Sequence, residues 1–266
     1  MLELACSHHL QELISFTFVL VRVYLSALGT YKYLQSSMES TLTSLAAGAL
    51  ADIQQVFQMA EKSGQDPLHV IVEEILHAKA GNIVLYGVGR EGLMMKALCM
   101  RLFHLGLKSH FFGDMTTPAI GPGDLFVASA GPGSFHTVNA LLQVARDAGA
   151  RVMVITAQKQ GSAAKLAHAV AVVPAQTMAD DMRHSASDRN FVKASNEGVF
   201  DEQMQGKFHH HSSPDVTATS LFGGLLPMGS VYEGALFVLF EVTVHCLQSR
   251  LGETSESMRS RHTNLE

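Results

Sequence analysis

The chain has 266 residues, of which 47% are hydrophobic and 16% are charged. A chain of this length and composition can bury one large core, so we expect a single main domain. The net charge of −5, without a cluster of Lys and Arg, argues against a nucleic-acid binder. The three cysteines, Cys6, Cys99 and Cys246, are too distant for a metal clip and odd in number for a disulfide framework. They indicate a reducing, cytoplasmic setting.

Residues 1–39 form an N-terminal extension of unknown role. Its apolar run at 13–28 is interrupted by Arg22 and is shorter than the ~20 uncharged residues that a bilayer span needs. Acidic residues, Glu3 and Glu12, precede the run where a signal peptide would be basic. We therefore expect a packed accessory helix and no membrane partner.

Residues 40–266 are predicted to form one domain in which helices and strands alternate. Helices are predicted from the spacing of apolar residues, near 38–57, 70–81, 91–105, 138–148, 162–167 and 230–251. The predicted strands are Ile83–Tyr86, Ser109–Phe112, Asp124–Ser129, Arg151–Thr156 and Ala169–Val173. Because these strands are continuous apolar runs, the pattern predicts a three-layer α/β/α sandwich with a five-stranded parallel sheet.

Two segments depart from this alternation. Residues 183–224 are rich in Ser, Asp, Asn and Gly, so we predict a mobile surface insertion. Their three histidines, 209–211, are adjacent and have no carboxylate or cysteine partner at ligand spacing, which favours solvated side chains over a metal site. The charged terminus, Arg259–Glu266, is expected to be frayed.

The first predicted strand ends in the glycine-rich turn Gly87–Gly92, which leads into a helix. Backbone N–H groups at a helix start attract an anion, and Gly87 and Gly89 allow a ligand to approach the backbone. The spacing also matches the Gly-x-Gly-x-x-Gly dinucleotide fingerprint, with Asp114 about twenty residues further on as a candidate ribose ligand. A nicotinamide-dependent enzyme is therefore an alternative, although nothing after Val173 resembles a substrate domain.

A second glycine-rich turn, Ser129–Ser134, follows the third predicted strand. Ligands bind at the carboxyl ends of parallel strands, so the two turns would form the two lips of one crevice. The hydroxyls of Ser129 and Ser134, with the backbone N–H groups of Gly131, Gly133 and Ser134, suit a phosphate dianion. The alternative is an ordinary connection between a strand and a helix.

Several runs of sequence resemble the sugar isomerase (SIS) domain family. They are Tyr86–Gly92, Met100–Gly106, Thr116–Pro118 and Gly123–Leu125. The runs Leu226–Glu233 and Arg261–Glu266 resemble the 6-phospho-3-hexuloisomerase branch more specifically. The resemblance covers residues 40–182 and 225–266.

The resemblance implies isomerisation between a 3-ketohexose 6-phosphate and fructose 6-phosphate, without a metal or other cofactor. A base removes the proton from C2, an enediol forms, and a proton returns at C3. Glu233 matches the catalytic glutamate of the family, and His262 matches a terminal histidine that would move protons between sugar oxygens. The residues expected to hold the substrate and its phosphate are Gly87, Gly89, Arg90, Glu91, Arg101, Thr117, Ser129, Gly131, Gly133 and Ser134.

Two residues depart from the family pattern, since Glu91 and Gly131 each stand where the family usually has serine. A carboxylate beside a phosphate repels it unless Arg90 or Arg101 screens the pair. A non-catalytic phosphosugar-binding protein is therefore the alternative function. The expected partners are a small-molecule sugar phosphate and further copies of the chain, as a dimer or tetramer in which the tail reaches a neighbouring crevice.

Overall fold

The computed structural model describes residues 41–180 and 225–265. The predicted N-terminal extension and the predicted insertion, with its three histidines, lie outside the described residues and stay predictions. The chain divides into two compact units, Met1–Gly48 and Ala49–Glu266. The sheet and the site described below belong to the second unit.

Strands and helices alternate in the described residues as the sequence predicts. The strands are β1 Asn82–Tyr86, β2 Lys108–Phe111, β3 Leu125–Ser129, β4 Arg151–Thr156 and β5 Ala169–Val172. The helices are α1 Leu42–Lys62, α2 Pro67–His77, α3 Gly89–His104, α4 His136–Asp147, α5 Ser162–Leu166, α6 Ser230–Leu251 and α7 Ser255–Ser260.

Local sequence explains where several elements begin and end. Helix α2 begins at Pro67, where the missing N–H costs nothing, and Asp66 caps it by accepting a hydrogen bond from the His69 N–H at 2.8 Å. The helix ends at His77, four residues before the predicted end near Gly81. Helix α3 begins at Gly89, two residues before its predicted start near Glu91.

The described strands form one parallel sheet in the order β2-β1-β3-β4-β5. After β1 the chain crosses to β2 on one side and then returns to β3 on the other side. The strand order therefore reverses between β1 and β3, and the carboxyl ends of these two neighbours define the crevice where open α/β sheets bind ligands.

Alternate residues of β1, β3 and β4 point to two separate apolar clusters. Ile83 and Leu85 belong to the cluster covered by α2, α3 and α6, whereas Val84 belongs to the cluster covered by α4 and α5. All five residues of β3 are buried. The sheet is covered on both faces, so the predicted three-layer α/β/α sandwich is confirmed.

Helix α6 is apolar over most of its surface, and its length and composition would be sufficient to cross a membrane. Half of its most apolar stretch is buried inside the protein, where it packs on α2 and α3. Two contacts at the same sequence offset, Arg90 with Ser230 and Arg101 with Glu241, show that α3 and α6 lie side by side in parallel. Burial against these helices accounts for the apolar composition of α6.

The expectation of a frayed terminus is wrong as far as Arg261. Thr254 and Ser257 form a capping box that starts α7. Beyond the helix, the Arg261 guanidinium donates to both carboxylate oxygens of Glu253, at 2.8 and 2.9 Å, and to the carbonyl oxygen of His104 at 2.8 Å. These bonds fix the tail to the C-terminal end of α3.

Candidate active site

The two glycine-rich turns lie next to each other at the carboxyl ends of β1 and β3. Their strands are hydrogen-bonded neighbours, with Tyr86 paired with Ala128 immediately before the turns. The turns contact each other directly, as the bonds of Glu91 described below show. They therefore form two sides of one crevice at the reversal of strand order.

The first turn is closed by contact between two glycines. A Cβ on Gly92 would lie 2.5 Å from the carbonyl oxygen of Gly87, which is closer than side chains allow. Gly89, at the start of α3, has a φ of +59°, and, apart from its chain neighbours and the backbone of its own helix, none of the described residues comes within 4 Å of the position its Cβ would occupy. Gly87 and Gly92 thus shape the turn, and Gly89 leaves the start of α3 open to a ligand.

Glu91 joins the first turn to the second. Its side chain is only 6% exposed. Its Oε2 accepts hydrogen bonds from the Ser129 hydroxyl at 2.6 Å and from the Gly131 N–H at 3.0 Å. Two of the donors that the sequence suggested for a phosphate are therefore bonded to a carboxylate of the protein itself.

The Tyr232 side chain is buried behind the second turn. Its hydroxyl lies 3.3 Å from the Ser129 hydroxyl, which itself donates to Glu91. A Cβ on Gly131 would lie 2.8 Å from the tyrosine ring and 3.0 Å from Glu91. Gly131 is therefore needed at this position because any larger residue would collide with this packing.

Hydroxyl groups remain at the outer part of the second turn. The Ser162 hydroxyl donates to the Ser134 hydroxyl at 2.8 Å, and the Asn139 amide donates to both, at 2.8 and 3.1 Å. Ser134 is an exposed residue that lies two positions before α4 begins at His136. The N–H of Gly133 is already bonded to the Ala130 carbonyl oxygen at 2.8 Å.

Arg90 and Glu233 bring the first turn together with the start of α6. The Arg90 guanidinium donates to the Ser230 hydroxyl at 2.9 Å and to the Met228 carbonyl oxygen, and it lies 3.4 Å from Oε2 of Glu233. Within the described residues, this Oε2 is buried without a hydrogen bond. Met228 adopts a left-handed φ of +54°, a strained conformation for a residue other than glycine that often occurs at functional sites.

The environment of Glu233 raises its pKa from the ordinary 4.5 to about 7. Burial is the main cause, because desolvation disfavours the charged form. Arg90 lowers the pKa, and the neighbouring charge of Glu91 raises it. Glu233 can therefore both release and accept a proton near neutral pH, as a general base must.

Burial also raises the pKa of Glu91, while its bonds from Ser129 and Gly131 lower it. The pKa of the Tyr232 hydroxyl lies well above its ordinary value because the group is fully buried and next to Glu91. Tyr232 is therefore a neutral hydroxyl at physiological pH.

Comparison with known proteins identifies the family. A model of the SIS domain matches residues 76–187. The 3-hexulose-6-phosphate isomerase of Methylomonas aminofaciens is 30% identical over 187 residues, which cover 70% of this chain and 82% of that protein. The chain belongs to the SIS domain family. The 3-hexulose-6-phosphate isomerase of Mycobacterium gastri is 29% identical over 212 residues, covering 80% of this chain and 86% of that protein. This SIS protein is thus similar to phosphosugar isomerases.

Solved structures share the SIS fold. A protein of Methanococcus jannaschii, whose structure was described as inferring a 3-hexulose-6-phosphate isomerase function, superposes with a TM-score of 0.57 at 20% identity, over 84% of this chain and 98% of that one. The NanR protein of Vibrio vulnificus, complexed with ManNAc-6P, has a TM-score of 0.54 at 19% identity, over 86% of this chain and 70% of that one. At such identities the likeness concerns the fold.

Three residues predicted from the SIS resemblance lie away from the contact between the two turns. Arg101 is near the other end of α3 and pairs with Glu241 at 3.1 Å. Thr117 donates to the carbonyl oxygens of Phe111 and Asp114, in the turn after β2. The His262 ring lies 5.2 Å from that of His104, the last residue of α3.

Helix geometry shows how far His262 is from the first turn of its own chain. Helix α3 has 16 residues between Gly89 and His104, and at 1.5 Å per residue its two ends are about 22 Å apart. Within one chain, Glu233 therefore lies beside the start of α3, next to the two turns, whereas His262 lies beside the other end of α3.

Sequence reasoning missed three residues of this site. Tyr232 lies within the quoted Leu226–Glu233 run, but its contact with Ser129 joins positions that are 103 residues apart. Ser162 and Asn139 carry no motif, and only the fold brings them to Ser134. In the part of the chain that the structure describes, no group of three or more His, Cys, Asp or Glu side chains could hold a metal ion.

Proposed function

We propose that this SIS protein is a cytoplasmic isomerase that interconverts a 3-ketohexose 6-phosphate and fructose 6-phosphate through an enediol. The observation that carries the proposal is the position of Glu233, whose Oε2 lies 3.4 Å from Arg90 of the first turn and has no hydrogen bond from the described residues. In agreement with this position, burial raises the pKa of Glu233 to about 7. Relatives named 3-hexulose-6-phosphate isomerase support this choice among phosphosugar reactions.

In the proposed reaction, ionised Glu233 removes the proton from C2 of the 3-ketose. The enediolate that forms carries negative charge on its oxygens, and the Arg90 guanidinium, 3.4 Å from Oε2 of Glu233, is positioned to stabilise that charge. A proton passes from O2 to O3, the step proposed for His262, and protonated Glu233, which exchanges with solvent, then delivers a proton to C3, which gives the 2-ketose. A base whose pKa lies near the working pH suits both halves of this exchange.

The phosphate of the substrate has to bind to donors that Glu91 leaves available. Helices α3 and α4 both begin without a side-chain cap, so the N–H groups of their first turns have no partner within the helix. The exposed Ser134 hydroxyl stands beside the start of α4. We therefore propose that the phosphate binds to the first-turn N–H groups of α3 and α4 and to the Ser134 hydroxyl. The Ser129 hydroxyl is already bonded to Glu91.

The proposed role of His262 requires a second copy of the chain, because this residue lies at the far end of α3 from the crevice of its own chain. Mixing two inactive variants tests this. Hybrids of E233Q and H262A chains would contain crevices with an intact glutamate and an intact histidine from a neighbour, so turnover should return on mixing. Hybrids that form but stay inactive would contradict the role of the neighbour.

The main test compares wild type with E233Q, and uses E241Q as the matched control on the same helix. Conversion of the 3-ketohexose 6-phosphate to fructose 6-phosphate is measured by a coupled assay, and binding of fructose 6-phosphate by calorimetry. We expect E233Q to lose at least ~100-fold in turnover while it still binds, and E241Q to behave as wild type.

The alternative function, a phosphosugar-binding protein without catalysis, has a structural observation in its favour, because Glu91 already occupies two donors of the second turn. Such a protein would bind the sugar phosphate but show no turnover even as wild type. The same two measurements therefore separate the two functions.

A further inference from the structure

The carboxylate of Glu91 has no part in the proposed reaction, yet it is among the most enclosed charged groups in the described residues, with 6% exposure. Removing a carboxylate from water is costly unless hydrogen bonds compensate. Here the Ser129 hydroxyl and the Gly131 N–H provide two such bonds, at 2.6 and 3.0 Å. The position therefore has a specific role in the architecture of the site.

Glu91 and Glu233 are connected by two short paths. Arg90, the neighbour of Glu91 in sequence, lies 3.4 Å from Glu233. Tyr232, the neighbour of Glu233, lies 3.3 Å from the hydroxyl of Ser129, which donates to Glu91. The start of α3 is thus attached to the start of α6 on one side by an ion pair and on the other by a chain of hydroxyl groups.

We propose that Glu91 is a positioning residue for Glu233: locked to the second turn as a buried carboxylate, it fixes Tyr232 and the start of α6 and makes Glu233 the carboxyl group of the pair that exchanges its proton. This inference rests on the proposed function for its catalytic meaning. The pairing of the two carboxyl groups is a property of the protein without substrate.

Unequal hydrogen bonding explains why the two carboxyl groups differ. Glu91 accepts two bonds, which favour its ionised form, whereas the buried Oε2 of Glu233 accepts none from the described residues. Two negative charges close together disfavour each other, so an ionised Glu91 helps Glu233 to keep a proton. In agreement with this geometry, Glu91 contributes to raising the pKa of Glu233, after burial.

The charged and titratable groups that act on Glu233 come from the two helices packed together here. Helix α3 provides Arg90, which favours the ionised form of Glu233, and Glu91, which opposes it. Helix α6 provides Tyr232, which is neutral. Removing the charge of Glu91 should therefore remove the repulsion that raises the pKa of Glu233, while the attraction of Arg90 remains, so that Glu233 ionises at lower pH.

The test is a titration of the glutamate side-chain carboxyl carbons by NMR, without substrate, in protein labelled with ¹³C at the glutamate side chains. The signal of Glu233 is identified as the one missing in E233Q. In wild type we expect its midpoint at about pH 7. In E91Q, which keeps an oxygen acceptor for Ser129 and Gly131, we expect the midpoint to lie at lower pH than in wild type.

The matched control is E241Q, which removes a glutamate charge from α6 two turns away from Glu233, where it pairs with Arg101. This variant should leave the Glu233 midpoint at its wild-type value. If E91Q also leaves the midpoint unchanged, the proposal is overturned, since a purely structural role of Glu91 would not alter the titration of Glu233.

S129A provides a second variant that keeps Glu91 but removes its 2.6 Å hydrogen bond. The pKa of Glu91 should rise, the carboxylate should lose part of its charge near neutral pH, and the Glu233 midpoint should again fall. If E91Q does not fold, the titration of Glu233 in S129A is the test, and a midpoint equal to that of wild type overturns the proposal. Absence of turnover in wild type would refute the proposed function instead, and would leave these titrations interpretable.

Discussion

Removal of the Glu233 charge should stabilise the protein at alkaline pH and leave its stability unchanged at acidic pH. The folded state raises the pKa of this carboxyl group from 4.5 to about 7. The native protein therefore binds the Glu233 proton more tightly than the unfolded chain does. This contribution to stability is fully present below pH ~4.5 and is lost as the pH rises through about 7.

The magnitude follows from the size of the pKa change. A difference of ~2.5 between the two pKa values corresponds to about 3 kcal/mol, at roughly 1.4 kcal/mol per pKa unit. The Glu233 side chain keeps some contact with solvent, at 16% exposure, so screening reduces this figure to about 1–2 kcal/mol. The E233Q substitution removes the ionised form, so the free energy of unfolding of this variant should exceed that of wild type by about 1–2 kcal/mol at pH 8.

The assay is urea unfolding of wild type and E233Q at pH 4.5 and pH 8. The loss of the Arg90 ion pair should matter little, because Arg90 is half-exposed and keeps its bonds to Ser230 and Met228. E241Q serves as the control and should show no such dependence on pH. If E233Q is no more stable than wild type at pH 8, Glu233 is not held in its neutral form by the fold, and the reasoning fails.

Three further substitutions test the packing and charges of the site. G131A places a Cβ 2.8 Å from the Tyr232 ring and should lower the free energy of unfolding by about 1–3 kcal/mol in urea titrations; full stability would contradict the packing. R90Q removes the cation that lowers the pKa of Glu233, so the acidic limb of the pH–rate profile should shift to higher pH than in wild type. A shift to lower pH would contradict the ion pair. M228G relieves a left-handed φ of +54° and should raise the unfolding free energy by about 1 kcal/mol; a loss of stability would show that the Met228 side chain matters more than its backbone.

The sheet could be predicted because parallel strands buried on both faces leave a strong signal. The run Val152–Ile155 is apolar without interruption and is flanked by Arg151 and Thr156, and the strand Arg151–Thr156 has the predicted bounds. The two glycine turns could be predicted for the same reason, since each follows such a strand. Helix ends depend on caps and tertiary contacts, so the spacing of apolar residues predicts them only approximately, as the end of α2 at His77 shows.

The site could be predicted only in part. The resemblance identified Glu233 and Arg90, which the structure places together. The bond between Glu91 and Ser129 joins residues 38 positions apart, and no local pattern reveals it. Arg101 lies on the same helix as Arg90 but near its other end, so nearness in sequence did not bring it to the turns.

The tail illustrates a different limit. Its charged composition is typical of a frayed terminus, but the fold provides a specific partner for its arginine. Arg261 is bound by the Glu253 carboxylate and by the His104 carbonyl oxygen. Glu253 lies just before the capped start of α7. Composition alone cannot show such a contact, because the partner carbonyl is 157 residues away.

The central claim is that Glu233 exchanges a proton with the carbon skeleton of a sugar phosphate bound between the two turns. The most direct measurement follows the C3 proton of fructose 6-phosphate by ¹H NMR in D₂O in the presence of the protein. The account predicts that wild type replaces this proton with deuterium and that E233Q does not, although E233Q still binds the sugar phosphate. Retention of the proton with wild type, or equal exchange with E233Q, would contradict the account.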